Sequence, residues 1–394
     1  MRGSMTRGKK LGRRLAVAGV ATAVVAVAAG CSASTGAGGG TSSASSAAGP
    51  ASSRPSTGPA GTVWVANEDG NSLTAIDAAS STVAATVNGV AMPHNVQATP
   101  DGSTVLAVSV GSGAVVSLDP ARYSVRATAQ TDAHPAHVIA SPDGQRAYVT
   151  SGAANAVDVY QLPSLKRVTA VRVGAGPHGL RPSPDGTKVV VADAKADTVD
   201  VIDTRTLASS RITVGANPVQ VAVSPDSRFA YVSLGTPKKV VKVDLAARKV
   251  VASASVPDAP VQVYVSADGK RLLAADQGTE QEPGHDVSVI DPQTMAVTAT
   301  IPVGAGPHGV VIDPSGTRAW VTNTFADTVS AIDLTSNTVA ATIPVGKAPN
   351  GISFGTTPPI KAGSVGVEIP TYPTGDMEGM AGMSSNPSPA ASHT

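Results

Sequence analysis

A single four-part unit recurs through most of this chain at a nearly constant period of about 42 residues, and that period limits the architecture more than any other feature. A turn of the form Pro/Ala-Asp/Ser-Gly/Ser begins at Pro100, Pro142, Pro184, Pro225, Ala267 and Pro314, with spacings of 42, 42, 41, 42 and 47 residues. Each turn is followed by an apolar run such as Val189-Val190-Val191-Ala192. Next comes an alternating run ending in Asp, such as Val199-Asp200-Val201-Ile202-Asp203. A third run, such as Val339-Ala340-Ala341-Thr342-Ile343, leads through Gly-x-x-Pro into a fourth. Asp-Gly pairs make tight hairpins because glycine accepts positive φ. Four antiparallel strands per 40-odd residues predict a β-propeller blade, whereas the coils of a β-helix are shorter.

The ends of the alternating runs count the blades: Asp77, Asp119, Gln161, Asp203, Asp244, Asp291 and Asp333 give seven. The first copy starts at Thr62-Val63-Trp64, which is a second strand. The last copy stops at Gly351-Ile352-Ser353-Phe354, which is a first strand. The two ends therefore complete one composite blade and leave no open edge in the ring. The expected fold class is all-β, a seven-bladed propeller over residues 62–355. With only 3% aromatic residues, its core must be Val, Ala, Ile and Leu.

The segments flanking the repeats differ in composition. Residues 1–30 carry six basic residues and no acid, then a 15-residue apolar run from Leu15 to Ala29 that is short for a membrane span and fits a signal peptide. The segment Val27-Ala28-Ala29-Gly30-Cys31 resembles the bacterial lipobox, with Ala28 where Leu is usual. The resemblance implies cleavage after Gly30, lipidation of Cys31, and a chain anchored through acyl groups to the outer face of the cell membrane. Residues 31–61, rich in Ser, Gly, Ala and Pro, lack apolar surface to bury and form a tether that spans roughly 30 Å as a coil. Residues 356–394 fall outside the repeat and are expected to be a flexible tail.

Six of the 29 basic residues lie in the first 14 positions, so the rest of the chain carries 23 against 28 acidic residues. With no basic patch and no aromatic ladder, nothing argues for nucleic acid. The single cysteine excludes an internal disulfide.

The repeats resemble the YVTN family of β-propeller repeats. The residues that carry the likeness are Tyr148-Val149-Thr150, Trp320-Val321-Thr322-Asn323, the Pro-Asp-Gly turns, and Pro-His-Gly at 177–179 and 307–309. More distantly, they are similar to the propeller domains of nitrous oxide reductase and cytochrome-type nitrite reductase, and to streptogramin B lyase. The resemblance implies the fold and leaves function open.

Two motifs match by letters alone. Gly174 to Gly179 and Gly304 to Gly309 fit G-x-G-x-x-G but lie between strands, not before a helix. Gly351-Ile352-Ser353-Phe354-Gly355 fits G-x-S-x-G, with Ser353 inside a strand. The blade-end aspartates are expected to hold turn backbones.

Chemistry is expected where the blade connections converge on the channel. Six positions before each turn stand His94, Ala136, His178, Val219, Val261 and His308, with Asn350 their equivalent. One position later stands His137. Of these, His94 and His178 are the better-placed pair, His308 faces them, and His137 is out of phase by one residue. The 47-residue spacing reflects an insertion, Gly278 to Asp286, that adds His285 and three carboxylates on the same face. The tail adds Met377, Met380 and Met383. Imidazole and thioether together suit copper.

Three readings follow. The leading one is a monomeric, non-catalytic binding or scaffold module for a protein or envelope ligand. The second is copper binding by these histidines and methionines. The third is a lyase with a channel histidine as base.

Overall fold

The computed structural model describes residues 58–373. It is a seven-bladed β-propeller, with sheets of four antiparallel strands in six blades and five strands in the first. Blade one is composite, as the end registers predict. Its inner strand, Pro349–Gly355, pairs antiparallel with Thr62–Asn67, which continues outward to Ser72–Asp77 and Thr82–Asn88.

The inner strands of blades two to seven are Pro93–Ala98, Pro135–Ala140, Pro177–Pro182, Pro218–Val223, Pro260–Val265 and Pro307–Ile312. All seven inner strands begin with proline. The ring nitrogen has no N–H to give, which suits a strand's first position. Each ladder also slips within the first residues of its inner strand. Such irregularities turn side chains that straight strands would alternate, and these lie at one end of the channel.

The core is divided among adjacent blades. Val63, Val65, Trp320 and Ile343 share one cluster between blades one and seven, and Trp64, Val96, Leu118 and Tyr123 share another between blades one and two. Trp320 stacks on Phe354 at 5.5 Å between ring centres, and Trp64 meets Tyr123 at 5.8 Å. Both tryptophans thus lie at the blade that closes the ring or beside it.

The aspartates do the structural work expected of them. Asp77, Asp119 and Asp244 accept backbone N–H groups from Ala79, Ala121 and Ala246 at 2.9, 2.8 and 3.0 Å. The aspartates of the turns between the first and second strands, on the same face, act likewise: Asp143 accepts the Gln145 N–H and the Ser141 hydroxyl. Gly174 to Gly179 joins two strands, and Ser353 is buried in the closing strand, where its hydroxyl accepts the Ala98 N–H at 2.9 Å. Neither letter match has the strand–turn–helix setting it would need.

The segment after residue 355 departs from the expected flexible tail. Gly363–Gly366 adds a fifth, parallel strand to blade one beside Thr82–Asn88. Val365, Val367, Ile369 and Tyr372 pack on the cluster between blades one and two. Tyr123 donates to the Ile360 carbonyl at 2.5 Å, and Gln130 donates to the Pro373 carbonyl at 3.1 Å. The cause is the alternation Val365-Gly366-Val367-Glu368-Ile369, a strand pattern with one apolar face. This strap leaves the end of Pro349–Gly355 at one face of the propeller. It reaches the opposite face at Pro373, beside the end of Ser124–Gln130.

Candidate metal centre at the histidine end of the channel

The starts of the inner strands surround a funnel of about 750 Å³, lined among others by Glu68, His94, His134, His178 and Asn350. His94, His137 and His178 come from three consecutive blades. Each offers one ring nitrogen, and these nitrogens all lie within 4.8 Å of one another. The Nε2 atoms of His94 and His178 are 3.3 Å apart. The rings of His137 and His178 are 4.7 Å apart between centres.

His137 joins this group despite its phase. In blade three the ladder is interrupted between Pro135 and Val138, and the His137 N–H donates instead to the Thr150 hydroxyl at 3.0 Å. Blades five and seven do the same with Gln220 on Ser233 and Gly309 on Thr322. Blade two has Val108 at that place, and Asn95 pairs with it directly. The hydroxyl of Thr150 thus takes over a ladder hydrogen bond and lets two adjacent positions of different blades reach one centre.

Each histidine has a distinct second contact. His94 Nδ1 lies 3.2 Å from Glu68 Oε2 and 3.1 Å from Asn350 Nδ2. His178 Nδ1 donates to the Val219 carbonyl at 3.1 Å, which leaves the Nε2 lone pair facing His94. His137 Nδ1 lies 3.3 Å from Gln220 Nε2, and its buried Nε2 has no hydrogen-bond partner among the described residues. Gln220 is oriented by accepting the Val221 N–H at 2.9 Å.

The electrostatics favour uncharged rings at the bottom of the funnel. Burial, then the neighbouring His94, hold His178 down to about 4, against a weaker upward pull from the Val219 carbonyl. Burial and the surrounding histidines depress His137 and His308 well below the ordinary imidazole range. Burial pushes the Glu68 carboxyl up. The charge and hydrogen bond of His94, with the Asn350 amide, outweigh it and hold Glu68 below the usual carboxylate range. The neutral ring is the form in which histidine binds a metal, and His137 and His178 are both held toward it.

The remaining candidates are placed differently. His308 is buried, its ring centre 6.2 Å from that of His94 and its Nδ1 without a hydrogen-bond partner among the described residues, but it stands outside the tight group of three. The insertion of blade six does border the funnel, through Glu280 and Pro283. His285 itself lies on the strand Pro283–Ile290 with its side chain exposed, so it is not brought to the cluster. The pleat accounts for this: Gly284 is buried and the next residue points outward. Met377, Met380, Met383 and Cys31 lie outside the described residues.

Glu68 had not stood out in the sequence. It sits in the link between Thr62–Asn67 and Ser72–Asp77, the same connection that carries the blade-six insertion. An acid in that connection was the available signal. His134, also at the funnel wall, precedes its inner strand with φ of 56° and belongs to the turn.

No family model matches the chain, and no curated protein matches it. Solved structures of similar fold exist in number. Hydrazine synthase of Kuenenia stuttgartiensis aligns at 21% identity and TM-score 0.59 over 67% of this chain and 90% of that one. A functionally unknown protein from Desulfotomaculum acetoxidans aligns at 15% identity and TM-score 0.66, over 76% of this chain and 100% of the other. Dihydro-heme d1 dehydrogenase NirN aligns at 19% identity and TM-score 0.56, over 74% and 65%. These likenesses establish the class, a seven-bladed β-propeller, and the propellers that share it include parts of enzymes.

Proposed function

We propose that this chain is a lipid-anchored, extracytoplasmic propeller of YVTN type that acts as a binding module, and that its ligand at the histidine end is a late first-row metal ion, copper first. The observation that carries the reading is the 3.3 Å between the Nε2 atoms of His94 and His178. Two nitrogens each about 2.0–2.1 Å from one tetrahedral ion stand about 3.3–3.4 Å apart. His137 supplies the third ligand, with a buried nitrogen that otherwise has nothing to bond. Glu68 behind His94 and the Val219 carbonyl behind His178 are the outer partners that metal-binding imidazoles use. Such a site leaves a fourth position open toward the funnel.

Copper stands first for two reasons. Divalent copper tops the affinity order at nitrogen sites, and thioethers select the monovalent ion. Met377 follows Pro373 by four residues, and the Pro373 carbonyl is held at the histidine-bearing face. The ten residues from Pro373 to Met383 reach up to about 33 Å from that point when extended.

Calorimetric titration of the purified chain with Cu(II), Cu(I) and Zn(II) tests the reading. The variant with His94→Ala and His178→Ala should bind at least 100-fold more weakly than wild type. Equal affinities would end the proposal. A separate fractionation tests the anchor. Cys31→Ser should move the protein from the membrane to the soluble extracytoplasmic fraction, and retention after a carbonate wash would count against lipidation.

A further inference from the structure

The opposite end of the channel holds a different kind of group. A cavity of about 470 Å³ opens there, walled by Ile139, Val223, Val265, Val311, Ile352 and Phe354. At its floor stands Arg181, near the end of the blade-four inner strand. Its guanidinium reaches Gln97 Oε1 of blade two at 3.3 Å and lies over the Tyr264 ring of blade six at 5.7 Å. Contacts with blades on both sides of its own place the charge near the channel axis. Gln97 is fixed in turn, its amide donating to the Ala98 carbonyl at 2.8 Å.

Among the described residues Arg181 forms no ion pair. A guanidinium carries five N–H donors, and one neutral acceptor at 3.3 Å leaves most of them unmet. The acids of this face are engaged elsewhere. Asp101, Asp143, Asp185, Asp226 and Asp268 each accept from their own turn, at Ser103, Gln145, Thr187, Arg228 and Lys270. Asp313 accepts the Thr317 and Arg318 N–H groups in the same way. Burial presses on the Arg181 charge, with Tyr264 opposing it weakly. Arg181 is half-buried, so a guanidinium held against apolar walls with no facing acid keeps donors open toward the cavity, which points to a partner supplied from outside.

We propose that this end of the channel is a second binding site, whose ligand is an organic carboxylate with an apolar body. The carboxylate takes the guanidinium fork in the planar two-bond geometry that arginine favours. The body lies along the apolar wall. No second Arg or Lys lines the cavity, so a phosphate or sulfate dianion would remain half neutralised, and a single carboxylate fits the charge. The cavity is of small-molecule size. This site does not depend on the metal reading.

The test is calorimetry on the purified full chain with octanoate and phenylacetate, each paired with its primary amide, plus sodium sulfate. Wild type should bind the better carboxylate at least tenfold more tightly than its amide, and the variant with His94→Ala and His178→Ala should keep that preference. Arg181→Met should abolish it while melting, without ligand, at the wild-type temperature or above. Equal binding of carboxylate and amide by wild type, or no heat from either at millimolar concentration, overturns the proposal. Sulfate binding as tight as that of octanoate overturns the apolar body. A lower melting temperature for Arg181→Met would mean that the arginine serves the fold, and would overturn the proposal unless wild type still shows the carboxylate preference that Arg181→Lys then weakens.

Discussion

The two ends of the channel are built from the same seven strands, yet they carry opposite chemistry. At the starts of the inner strands stand three clustered histidines and an ionised carboxylate. At their ends stand apolar side chains around one guanidinium that forms no ion pair among the described residues. The difference follows from where the repeat is regular. The ends run into hairpins whose Asp and Ser or Thr side chains are consumed by the turn itself, so only the residues pointing inward are free to vary. The starts are irregular in every blade, and there two adjacent positions, taken from different blades, reach one centre. A propeller thus gains more ways to place polar side chains where its ladders slip than where its turns are ideal.

Removing the strand that serves both ends should abolish the contrast, with the largest effect of all. Pro349–Gly355 supplies Asn350 to the histidine funnel and Ile352 and Phe354 to the apolar cavity, and it covers the edge of Thr62–Asn67. A chain ending after residue 347 should fail to fold cooperatively by calorimetry, with both sites lost. A chain ending after 359 keeps the closure but loses the strap with Val365, Val367, Ile369 and Tyr372, at a cost of about 2–4 kcal/mol for those partly buried apolar groups. A chain ending after 373 should melt as wild type does. Equal melting of all three would refute both the closure and the strap.

A single substitution between the two ends should move them in opposite directions. Gln220 Nε2 faces His137 Nδ1, so in the present hydrogen bonding the amide gives to a ring nitrogen that a metal-bound imidazole would need protonated. Gln220→Glu replaces that donor with a carboxylate able to accept from both His137 Nδ1 and the Val221 N–H, freeing the Nε2 lone pair. An outer-shell carboxylate of this kind changes metal affinity by about tenfold or more. Metal should therefore bind about tenfold more tightly, and a carboxylate at Arg181 several-fold more weakly because a negative charge has been added near the guanidinium. If both affinities move the same way, the two ends are not electrically distinct as argued.

How much of this was legible in the sequence divides along the same line. The turns, the blade count and the closing register could be read because they depend on spacing. His94, His178 and His308 could be found by counting back from the turns. His137 could be found as well, one position out of phase; why that phase still brings it to the same centre could not be read, because it rests on Thr150 replacing a ladder hydrogen bond, which period-2 alternation does not register. Glu68 lay outside the counted positions, in a connection read only where it was long. Arg181 carries no signal of its own in the sequence, because it stands near a strand end and its meaning depends on facing no acid, which is a property of three dimensions. The strap was marked by alternating apolar residues after 363, obscured by the glycines between them.

The smallest effect concerns a group near the histidine end that resembles part of a site. Asp276 is fully buried at the end of its strand, and burial lifts its carboxyl to about 8, with Asp286 and Asp258 pushing the same way and the Ser288 hydroxyl opposing. Raised carboxyls cluster at functional sites, yet the repeat assigns this one to the frame. The equivalent position in blades one and seven is Asn67 and Asn323, whose amides donate to Ser72, Thr74, Thr328 and Ser330 hydroxyls. Asp276 meets the hydroxyl at the matching place in the other sense, accepting from Ser288 at 2.6 Å. Its linkage to stability has a definite sign. The folded carboxyl keeps its proton up to about pH 8, while the unfolded one releases it near pH 4, so the folded state binds more protons between those values. Stability must fall as pH rises across that window and level off above it. Asp276→Asn cannot ionise and should lack this decline. By chemical denaturation the variant should match wild type near pH 4.5 and exceed it by about 1–2 kcal/mol at pH 9. Metal affinity at neutral pH should not change. Parallel stability curves would show that Asp276 ionises normally in the fold, and a loss of metal affinity would place it in the site after all.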